Sequence, residues 1–416
     1  MFYSTFIQVK KVLLQFLFLL IFVCCPSSIK GQAPLFDSSQ YLLEQYGATI
    51  HIGYKYYDYP YRDSLLLLAK EAGMTFVRYD LDQRYTDIWK NAITSVKEKG
   101  LKSNIILSKW DYSYEGIRPW DNPNLYIKYL SQVVDSFKNE VDVWEVMNEV
   151  ELINDNEGLW KNKKATIGYY SLVPLITNYI RKQSSNARII SGSIIGLDNP
   201  FVYQLFIRRI FSYFNVFNLH SYRAPEELPE IFSNIKLKMD KYNAHPNLWL
   251  TECGMSTNLD VLKKNTTEQL EIEQAHRVAR IHLISFAYGV DKVFWYNLRS
   301  LENEQYNKEH HFGLLHQDLS PKPSYYAYKT LTSMCPGGSL RPTLRINHNV
   351  YLCSWIHPNG KHIWAIWSPK KRVRFSVNVK GRCQYYDYMG RSKRKPNYID
   401  SGVTYMVGNK YTEVIF

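Results

Sequence analysis

The chain has 416 residues, and 45% of them are hydrophobic, which is enough to bury a large core and more than one domain. The composition shows neither low-complexity segments nor an apolar-poor, highly charged balance, which excludes a disordered chain. The formal net charge of +13 is unevenly distributed: residues 336–416 contain 14 Lys/Arg and 3 Asp/Glu, whereas residues 32–335 are close to neutral. No nucleic-acid-binding motif accompanies this basic excess, so we expect no nucleic-acid partner.

Residues 1–31 have the pattern of a secretory signal peptide. Lys10 and Lys11 precede an apolar run from Val12 to Cys25, and small and polar residues follow it. This run is shorter than the ~20 residues of a membrane-spanning helix. We therefore expect an exported mature chain, which would be extracellular, periplasmic or on the cell surface. An uncleaved N-terminal anchor is the alternative interpretation.

Apolar strand-like runs alternate with helix-like segments up to about residue 335. Segments such as Ser64–Ala72 and Glu268–Tyr288 carry apolar residues at a spacing near 3.6, and Thr266 and Gln269 form a capping-box pattern before the second. Eight strand-then-helix units predict a (β/α)8 TIM barrel over residues 32–335. A doubly wound open sheet is disfavoured because no glycine-rich phosphate loop follows an early strand. The predicted strands are Ala48–Ile52, Thr75–Tyr79, Ser103–Leu107, Val141–Met147, Arg188–Ser191, Val216–Leu219, Leu248–Thr251 and Lys292–Tyr296.

Residues 336–416 show short alternating runs instead, which predict a small antiparallel β-sandwich domain. Asn359-Gly360 predicts a hairpin with a type I′ turn between two of these runs. Basic clusters at Lys370–Arg372 and Arg391–Lys395 predict attraction to an acidic polysaccharide or an anionic envelope surface. A solvated basic face is the alternative interpretation. The predicted strands are Val350–Trp355, His362–Trp367, Val373–Val379 and Thr404–Val407.

Four cysteines remain after residue 31, too few for a disulfide framework in a chain of this length. One or two bridges are compatible with export, and a pair among Cys335, Cys353 and Cys383 is favoured over one with Cys253. The cysteine spacing resembles no zinc site, and His310-His311 lacks a third ligand at a suitable spacing. We therefore expect neither a metal nor another cofactor.

Carboxylates stand at the ends of two predicted barrel strands. Asn148-Glu149 ends the fourth strand, and Glu252 ends the seventh, on nearly opposite sides of an eight-stranded barrel. Barrel active sites lie at these carboxyl ends of the strands. Cleavage of a glycosidic bond needs one protonated and one ionised carboxyl group across a pocket. A single buried glutamate would more simply be part of a structural ion pair, but two at corresponding strand ends favour chemistry.

Other strand ends supply side chains that suit such a site. Arg78 ends the second strand, and a fixed cation near a carboxylate keeps the carboxylate ionised. His220 and Tyr222 follow the sixth strand and are suited to orient a carboxylate by hydrogen bonds. Trp295 ends the eighth strand, where an indole face could support a sugar ring. Core packing is the alternative for a lone Trp or His.

Aromatic residues are frequent in two of the predicted loops at the same end of the barrel. Tyr54 lies in the tyrosine-rich loop after the first strand, and Trp110 lies in the loop after the third. Aromatic faces stack on sugars and tyrosine hydroxyls hydrogen-bond them, so both are candidate substrate contacts. Ordinary loop packing is the alternative.

The motifs as a group resemble the shared site of clan A glycoside hydrolases. They are the segment WEVMNE at residues 144–149, Thr251-Glu252, the segment HSY at residues 220–222, Arg78 and Trp295. The segment EHHFGLLHQDLSPKPSYYAYKTL at residues 309–331 also resembles the stretch that closes the barrel in family-39-like members. The resemblance covers about residues 47–331. It departs from the clan at Val150, where proline is frequent, and at Lys109-Trp110-Asp111, where a histidine is frequent.

The resemblance implies a role for each matching residue. Glu149 would be the general acid/base and Glu252 the nucleophile of a retaining mechanism through a covalent glycosyl-enzyme intermediate, with carboxyl groups about 5–5.5 Å apart. The remaining implied roles are binding of the sugar 2-hydroxyl by Asn148, ionisation and positioning of Glu252 by Arg78 and Tyr222, support of that network by His220, and a sugar platform from Trp295. Glu145 is expected to pair with a basic group such as Arg78, and Glu151 is expected to be solvated.

The sequence thus predicts a secreted retaining glycoside hydrolase acting on a β-linked poly- or oligosaccharide. The alternative is a catalytically inactive carbohydrate-binding surface protein that keeps the barrel. A transglycosylase would use the same residues. The sequence leaves the sugar, the linkage and the choice between endo and exo action open.

Overall fold

The computed structural model describes residues 44–82, 85–107, 119–152, 163–195, 200–258, 266–304, 307–337 and 341–416. The predicted signal peptide, residues 1–31, lies outside these ranges and stays a prediction. None of the helices in the described ranges combines the length and apolar character that a membrane crossing requires.

A closed parallel barrel forms the first part of the fold, as the strand pattern predicts. The strands follow the order β5-β4-β3-β2-β1-β9-β8-β7-β6, and the contact between Ile190 of β5 and Val216 of β7 closes the ring. A short extra strand, β6, continues beyond β5. The two share one strand position, so nine strands form an eight-stranded barrel. Their bounds are β1 Tyr46–Thr49, β2 Phe76–Asp80, β3 Lys102–Ile106, β4 Val143–Glu145, β5 Arg188–Ile190, β6 Ile194–Ile195, β7 Val216–His220, β8 Asn247–Cys253 and β9 Lys292–Trp295.

Eight α-helices lie among the described residues of the barrel. The predicted capping box is confirmed: the Thr266 hydroxyl accepts from the Gln269 backbone N–H and the Gln269 side-chain oxygen accepts from the Thr266 backbone N–H, so two N–H groups are satisfied. The bounds are α1 Arg62–Glu71, α2 Trp89–Glu98, α3 Pro123–Phe137, α4 Lys163–Gln183, α5 Pro200–Ile207, α6 Leu228–Lys241, α7 Thr267–Ala287 and α8 Pro323–Met334.

The barrel interior is built in layers, which determines where polar groups can stand. One layer is apolar and fully buried; it consists of Phe76, Val143, Ile190, Val216, Trp249 and Phe294. Side chains alternate along a strand, so the residues two positions further on enter the next interior layer towards the carboxyl ends. Arg78, Glu145 and Asn218 occupy that layer, and each is at most 1% exposed. The apolar layer thus closes the barrel beneath a polar one.

An antiparallel β region follows the barrel, which confirms the predicted fold class. A six-stranded sheet has the order β10-β11-β12-β18-β15-β16, and two further pairs, β13–β17 and β14–β19, accompany it. The bounds are β10 Thr343–Asn347, β11 Val350–Ile356, β12 His362–Trp367, β13 Val373–Arg374, β14 Asn378–Lys380, β15 Gln384–Tyr386, β16 Ser392–Lys393, β17 Tyr398–Ile399, β18 Thr404–Gly408 and β19 Glu413–Ile415.

The two faces of the large sheet pack against different partners. Cys353, Trp355 and Trp367 belong to the core that the barrel helices share. The indole N–H of Trp355 donates to the carbonyl of Met334 at the end of α8, at 2.8 Å. The opposite face carries a second core, with Leu352, Trp364, Ile366 and Met406, which includes residues of the two small sheets. The central strands of the sheet, β11, β12 and β18, are therefore buried on both sides, whereas the edge strands β10 and β16 are mostly exposed.

The structure corrects two expectations about the β region. The predicted hairpin at Asn359-Gly360 exists, but only Gly360 has a positive φ, because Pro358 opens the turn with a restricted, negative φ. The two-residue turn with positive φ at both positions is His348-Asn349, between β10 and β11. The favoured disulfide is absent as well, since the four cysteines among the described residues are free thiols.

Candidate active site

The two predicted carboxylates meet above the polar layer of the barrel. One oxygen of Glu149 and one of Glu252 lie within 4.8 Å of each other, and both lie within that distance of a ring nitrogen of His220. The side chains are 18% and 9% exposed, so both can be reached from the mouth of the barrel while remaining largely shielded from water.

A buried ion pair forms the floor of the site. Arg78 Nε and Nη2 donate to the two oxygens of Glu145 at 2.7 and 2.8 Å, in a bidentate arrangement. Glu145 also accepts from the amides of Asn104 at 3.2 Å and Asn218 at 3.0 Å, so both of its oxygens are satisfied. This agrees with the expected pairing of Glu145 with a basic group. Removal from water costs a charged group several kcal/mol. Turning the Arg78 guanidinium away from Glu145 would leave both charges buried without their partner, so these contacts hold the guanidinium in one orientation.

Arg78 connects this floor to Glu252 and Asn148. Its Nη1 donates to Glu252 Oε1 at 2.5 Å, and its Nη2 donates to Asn148 Oδ1 at 2.7 Å. The Ser193 hydroxyl also donates to Asn148 Oδ1, at 2.6 Å. Because Arg78 and Ser193 both donate to the carbonyl oxygen of Asn148, the two hydrogens on its Nδ2 remain available for other partners.

The environment of Glu252 favours a carboxylate. The Tyr222 hydroxyl donates to Glu252 Oε2, while Arg78 occupies Oε1. Burial raises the pKa of Glu252 above its ordinary value, and the Arg78 charge and the Tyr222 hydrogen bond oppose that rise. We conclude that the direct donors keep Glu252 ionised, because each of them stabilises only the charged form.

The environment of Glu149 favours a protonated carboxyl group. Burial raises the pKa of Glu149 from 4.5 to about 7, and the more distant Arg78 only partly opposes this. Its Oε1 lies 2.5 Å from His220 Nδ1. The two carboxyl groups therefore stand in different environments, with fixed donors at Glu252 and a neutral imidazole at Glu149, which is the kind of difference that an acid and a nucleophile require.

The backbone at the end of β4 is held in an uncommon conformation. Met147 and Glu149 have φ of 68° and 47°, which side-chain-bearing residues rarely adopt. Ser193 stabilises this segment, because its carbonyl accepts from the Glu149 N–H at 3.0 Å and it forms a β-bridge with Asn148. Such conformations cost about 1–3 kcal/mol each and cluster at functional sites.

His220 is enclosed at the centre of the site. Its Nε2 lies 3.2 Å from the Thr251 hydroxyl, and the Thr251 hydroxyl lies 2.5 Å from Asn218 Oδ1. Burial lowers the pKa of His220 to about 4, so the imidazole is neutral at physiological pH. Asn218 is a functional candidate that sequence reasoning missed, since its residue type is not distinctive alone, and Thr251 was part of the Thr251-Glu252 motif but had no predicted role of its own.

Glu151 is buried, which contradicts the expectation that it is solvated. It is 4% exposed, and its Oε1 accepts from the backbone N–H of Ile195 at 2.5 Å. Burial raises its pKa from 4.5 to about 8, so it carries a proton at neutral pH. The expectation was wrong because the short helix Val150–Leu152 turns the chain back over β6 instead of outwards.

The structure does not bring Trp295 into the cleft. Its side chain is fully buried in the core, and its indole N–H donates to the carbonyl of Phe312 at 3.1 Å. The next residue, Tyr296, stands at the mouth, with its ring 6.2 Å from that of Tyr222. Strand alternation could have predicted this, because Phe294 faces the barrel interior and Tyr296 has the same parity.

The loop residues predicted to contact substrate have different outcomes. Tyr54 is half-buried after β1, and its hydroxyl donates to Asp80 Oδ2 at the end of β2, at 2.8 Å. It therefore lies at the correct end of the barrel. Trp110 lies outside the described residues, and its predicted role stays a prediction.

The cluster of Glu149, His220 and Glu252 is also the set among the described residues whose ligand atoms are close enough to surround a metal ion. The Arg78 guanidinium already contacts this cluster and supplies positive charge to Glu252. Glu149, His220 and Glu252 therefore already have hydrogen-bond or ion-pair partners among the side chains of the protein.

The fold, a (β/α)8 barrel followed by a C-terminal β region, is similar to that of solved family 39 glycoside hydrolases, as the sequence motifs predict.

Comparison with solved structures supports the assignment of the fold. A family 39 glycoside hydrolase from the gut symbiont Bacteroides cellulosilyticus WH2 superposes with a TM-score of 0.68 at 19% identity, over 91% of this chain and 83% of that chain. A monomeric β-xylosidase from Caulobacter crescentus CB15 gives 0.60 at 11% identity, over 89% and 97%. An endo-β1,6-glucanase gives 0.57 at 13% identity, over 88% and 92%. The chain matches no protein-family model and no curated protein sequence.

Proposed function

We propose that this protein is an exported retaining glycoside hydrolase that cleaves β-linked poly- or oligosaccharides. The observation that carries the proposal is the pair formed by Glu149 and Glu252, whose carboxyl oxygens lie within 4.8 Å and have different partners: Arg78 and Tyr222 donate to Glu252, whereas Glu149 contacts His220. A binding protein would have no need of such a pair. The separation agrees with a retaining enzyme, whose carboxyl groups are about 5 Å apart, and not with an inverting one, in which they stand about 6.5–9.5 Å apart.

The chemistry follows from the two environments. Glu252 attacks the anomeric carbon while Glu149 donates its proton to the departing glycosidic oxygen, which leaves a covalent glycosyl-enzyme. Glu149, now ionised, removes a proton from water, and that water releases the sugar from Glu252. The Asn148 amide hydrogens are suited to bind the sugar 2-hydroxyl. Tyr296 takes over the platform role that sequence reasoning assigned to Trp295, because its ring borders the cleft.

Trapping the intermediate tests the nucleophile. Incubation with a 2-fluoro glycosyl fluoride of the accepted sugar should label Glu252 and inactivate the enzyme in a stoichiometric manner. Glu252→Gln should abolish turnover. Labelling of another residue, together with a fully active Glu252→Gln variant, would overturn the assignment.

The acid/base role has a separate test. Glu149→Ala should lose least activity on aryl glycosides with very good leaving groups, because these need no protonation. Azide should restore part of the turnover by attacking the intermediate in place of activated water. Equal losses on all leaving groups, without azide rescue, would contradict the role of Glu149.

A screen of polysaccharides and aryl glycosides would identify the substrate. The structural neighbours include a β-xylosidase and an endo-β1,6-glucanase, so the screen should contain β-xylosides and β-1,6-glucan. Binding of oligosaccharide without any release of reducing ends would favour a carbohydrate-binding surface protein instead. Product analysis at high acceptor concentration separates hydrolysis from transglycosylation.

We further propose that the C-terminal β region binds an acidic polysaccharide or an anionic envelope surface. The antiparallel pairing of β13 with β17 joins the chain segments that follow the first basic run and follow the second, with Arg374 opposite Tyr398. The basic surface formed in this way consists of the exposed residues Lys370, Lys371, Arg372, Arg374, Arg394 and Lys395. Closely spaced cations attract polyanions at low ionic strength.

Charge removal tests this surface. Replacing Lys370, Lys371 and Arg372 by serine should weaken retention on an anionic polysaccharide column and reduce its salt dependence. Replacing Arg345, Lys361 and Lys410 removes the same charge outside the basic surface and is the matched control. Equal weakening by both triple variants would indicate net charge alone.

A further inference from the structure

We propose that Thr251 and Asn218 fix His220 in one neutral tautomer, so that Glu149 stores the catalytic proton by donating it to His220 Nδ1 in the free enzyme. Thr251 and Asn218 would be positioning residues, acting on the acid/base through His220. The inference rests on the proposed function for the role of Glu149. The direction of each hydrogen bond follows from the chemistry of its two atoms.

The direction is set first at Asn218. The Glu145 carboxylate is paired with Arg78 and can only accept hydrogen bonds. The group of Asn218 that lies 3.0 Å from Glu145 must therefore be its NH2 group. The amide oxygen of Asn218 then points to the Thr251 hydroxyl, 2.5 Å away.

Thr251 transmits this direction to His220. An amide oxygen has no hydrogen, so the Thr251 hydroxyl must donate its only hydrogen to Asn218. The same hydroxyl can then only accept from His220 Nε2, at 3.2 Å. The proton of the neutral imidazole is thereby assigned to Nε2.

The remaining ring nitrogen of His220 needs a donor. His220 is 3% exposed, and burial keeps it neutral, so Nδ1 carries a lone pair. Glu149 Oε1 lies 2.5 Å from Nδ1, and Glu252 Oε2 lies 3.4 Å away. Both oxygens of Glu252 already accept hydrogen bonds, from Arg78 and Tyr222. The proton between Glu149 and Nδ1 therefore belongs to Glu149.

A β-bulge makes this arrangement possible. The pairing of β8 with both neighbouring strands shifts by one residue between Leu250 and Cys253. In a regular strand, Thr251 and Glu252 would face opposite sides. The bulge allows both to face the interior, so one feature positions the nucleophile and the group that orients His220.

The charged and titratable groups around Glu149 come from several elements. They are Arg78 on β2, Glu145 on β4, Glu151 after β4, His220 on β7, Tyr222 after β7, Glu252 on β8 and Tyr296 after β9. Only His220 can change from acceptor to donor towards Glu149 without a change in net charge. Its tautomer is therefore the property to perturb.

A near-isosteric pair of variants at Thr251 provides the kinetic test. Thr251→Val removes the acceptor of Nε2–H, so the imidazole proton should move to Nδ1 and donate to an ionised Glu149. This stabilises the ionised form and should move the basic limb of kcat/KM down by about one pH unit. Thr251→Ser keeps the hydroxyl and should keep the limb of the wild type. A merely structural role would lower kcat without moving the limb.

The tautomer itself can be observed by ¹⁵N NMR of histidine-labelled protein, with His220→Asn used to assign the signal. The wild type should show a proton on Nε2 of His220 at neutral pH. A proton on Nδ1, or a charged ring, would overturn the proposal whether or not the protein has activity. An active enzyme whose basic limb is unmoved in Thr251→Val would also overturn it. An Nε2–H tautomer without any glycosidase activity would instead reject the proposed function alone.

Discussion

Two buried glutamates, six residues apart, should respond in opposite ways to the same substitution. Glu145→Gln removes the carboxylate that holds Arg78, and the new amide nitrogen would face an Arg78 N–H, donor against donor. Arg78 is 1% exposed, so water cannot replace the lost partner. Removing one member of a buried ion pair costs about 3–5 kcal/mol. That is a large fraction of a typical unfolding free energy of about 5–15 kcal/mol.

Glu151→Gln is the matched control, because Glu151 is also buried but forms no ion pair with a cation among the described residues. Its carboxyl group is protonated at neutral pH, and a glutamine oxygen can still accept from the Ile195 N–H. The exchange of one neutral group for another should change the unfolding free energy by about 1 kcal/mol or less near pH 5.

The difference in unfolding free energy between Glu151→Gln and the wild type should also depend on pH in a defined way. Since folding raises the pKa of Glu151 from 4.5 to about 8, the wild type loses stability as pH rises through this window. Glu151→Gln lacks that loss, so its advantage over the wild type should grow by about 1 kcal/mol per pH unit within the window.

Urea unfolding followed by tryptophan fluorescence measures both effects, at about pH 5 and about pH 8. The reasoning would be refuted if Glu145→Gln were as stable as the wild type. It would also be refuted if Glu151→Gln lost as much as Glu145→Gln at both pH values.

Four further substitutions probe the cleft, the barrel core and the second domain. Tyr222→Phe removes a donor to Glu252, so the pKa of Glu252 should rise and the acidic limb of kcat/KM should move to higher pH, as a pH–rate profile would show. Tyr296→Ala should lower kcat/KM about tenfold through lost stacking, as substrate kinetics would show, whereas Trp295→Phe should lower thermal stability with little effect on KM. Trp355→Phe should cost about 1–3 kcal/mol in urea unfolding, because the Met334 carbonyl loses its donor; an unchanged unfolding midpoint would contradict that contact.

The sequence is sufficient to predict much of the fold and to select Glu149 and Glu252 as the two carboxylates of the candidate site. Apolar strand-like runs that alternate with helical segments predict the eight strands of the barrel, and the barrel rule places Glu149 and Glu252 at the same end. These inferences succeed because they depend on local periodicity and on a topology with few alternatives. The Asn359-Gly360 turn failed for a local reason, since Pro358 precedes it and changes the turn type.

The tertiary structure decided which side chains lie beside Glu149 and Glu252. The bulge in β8 brings Thr251 beside Glu252, and the positive φ at Glu149 redirects the end of β4, so strict alternation cannot predict either position. The burial of Glu151 and the orientation of His220 arise from contacts between residues far apart in sequence. Sequence alone therefore determined which groups are available. Only the packed barrel, by excluding water and ordering the hydrogen bonds, decided which of them holds the proton.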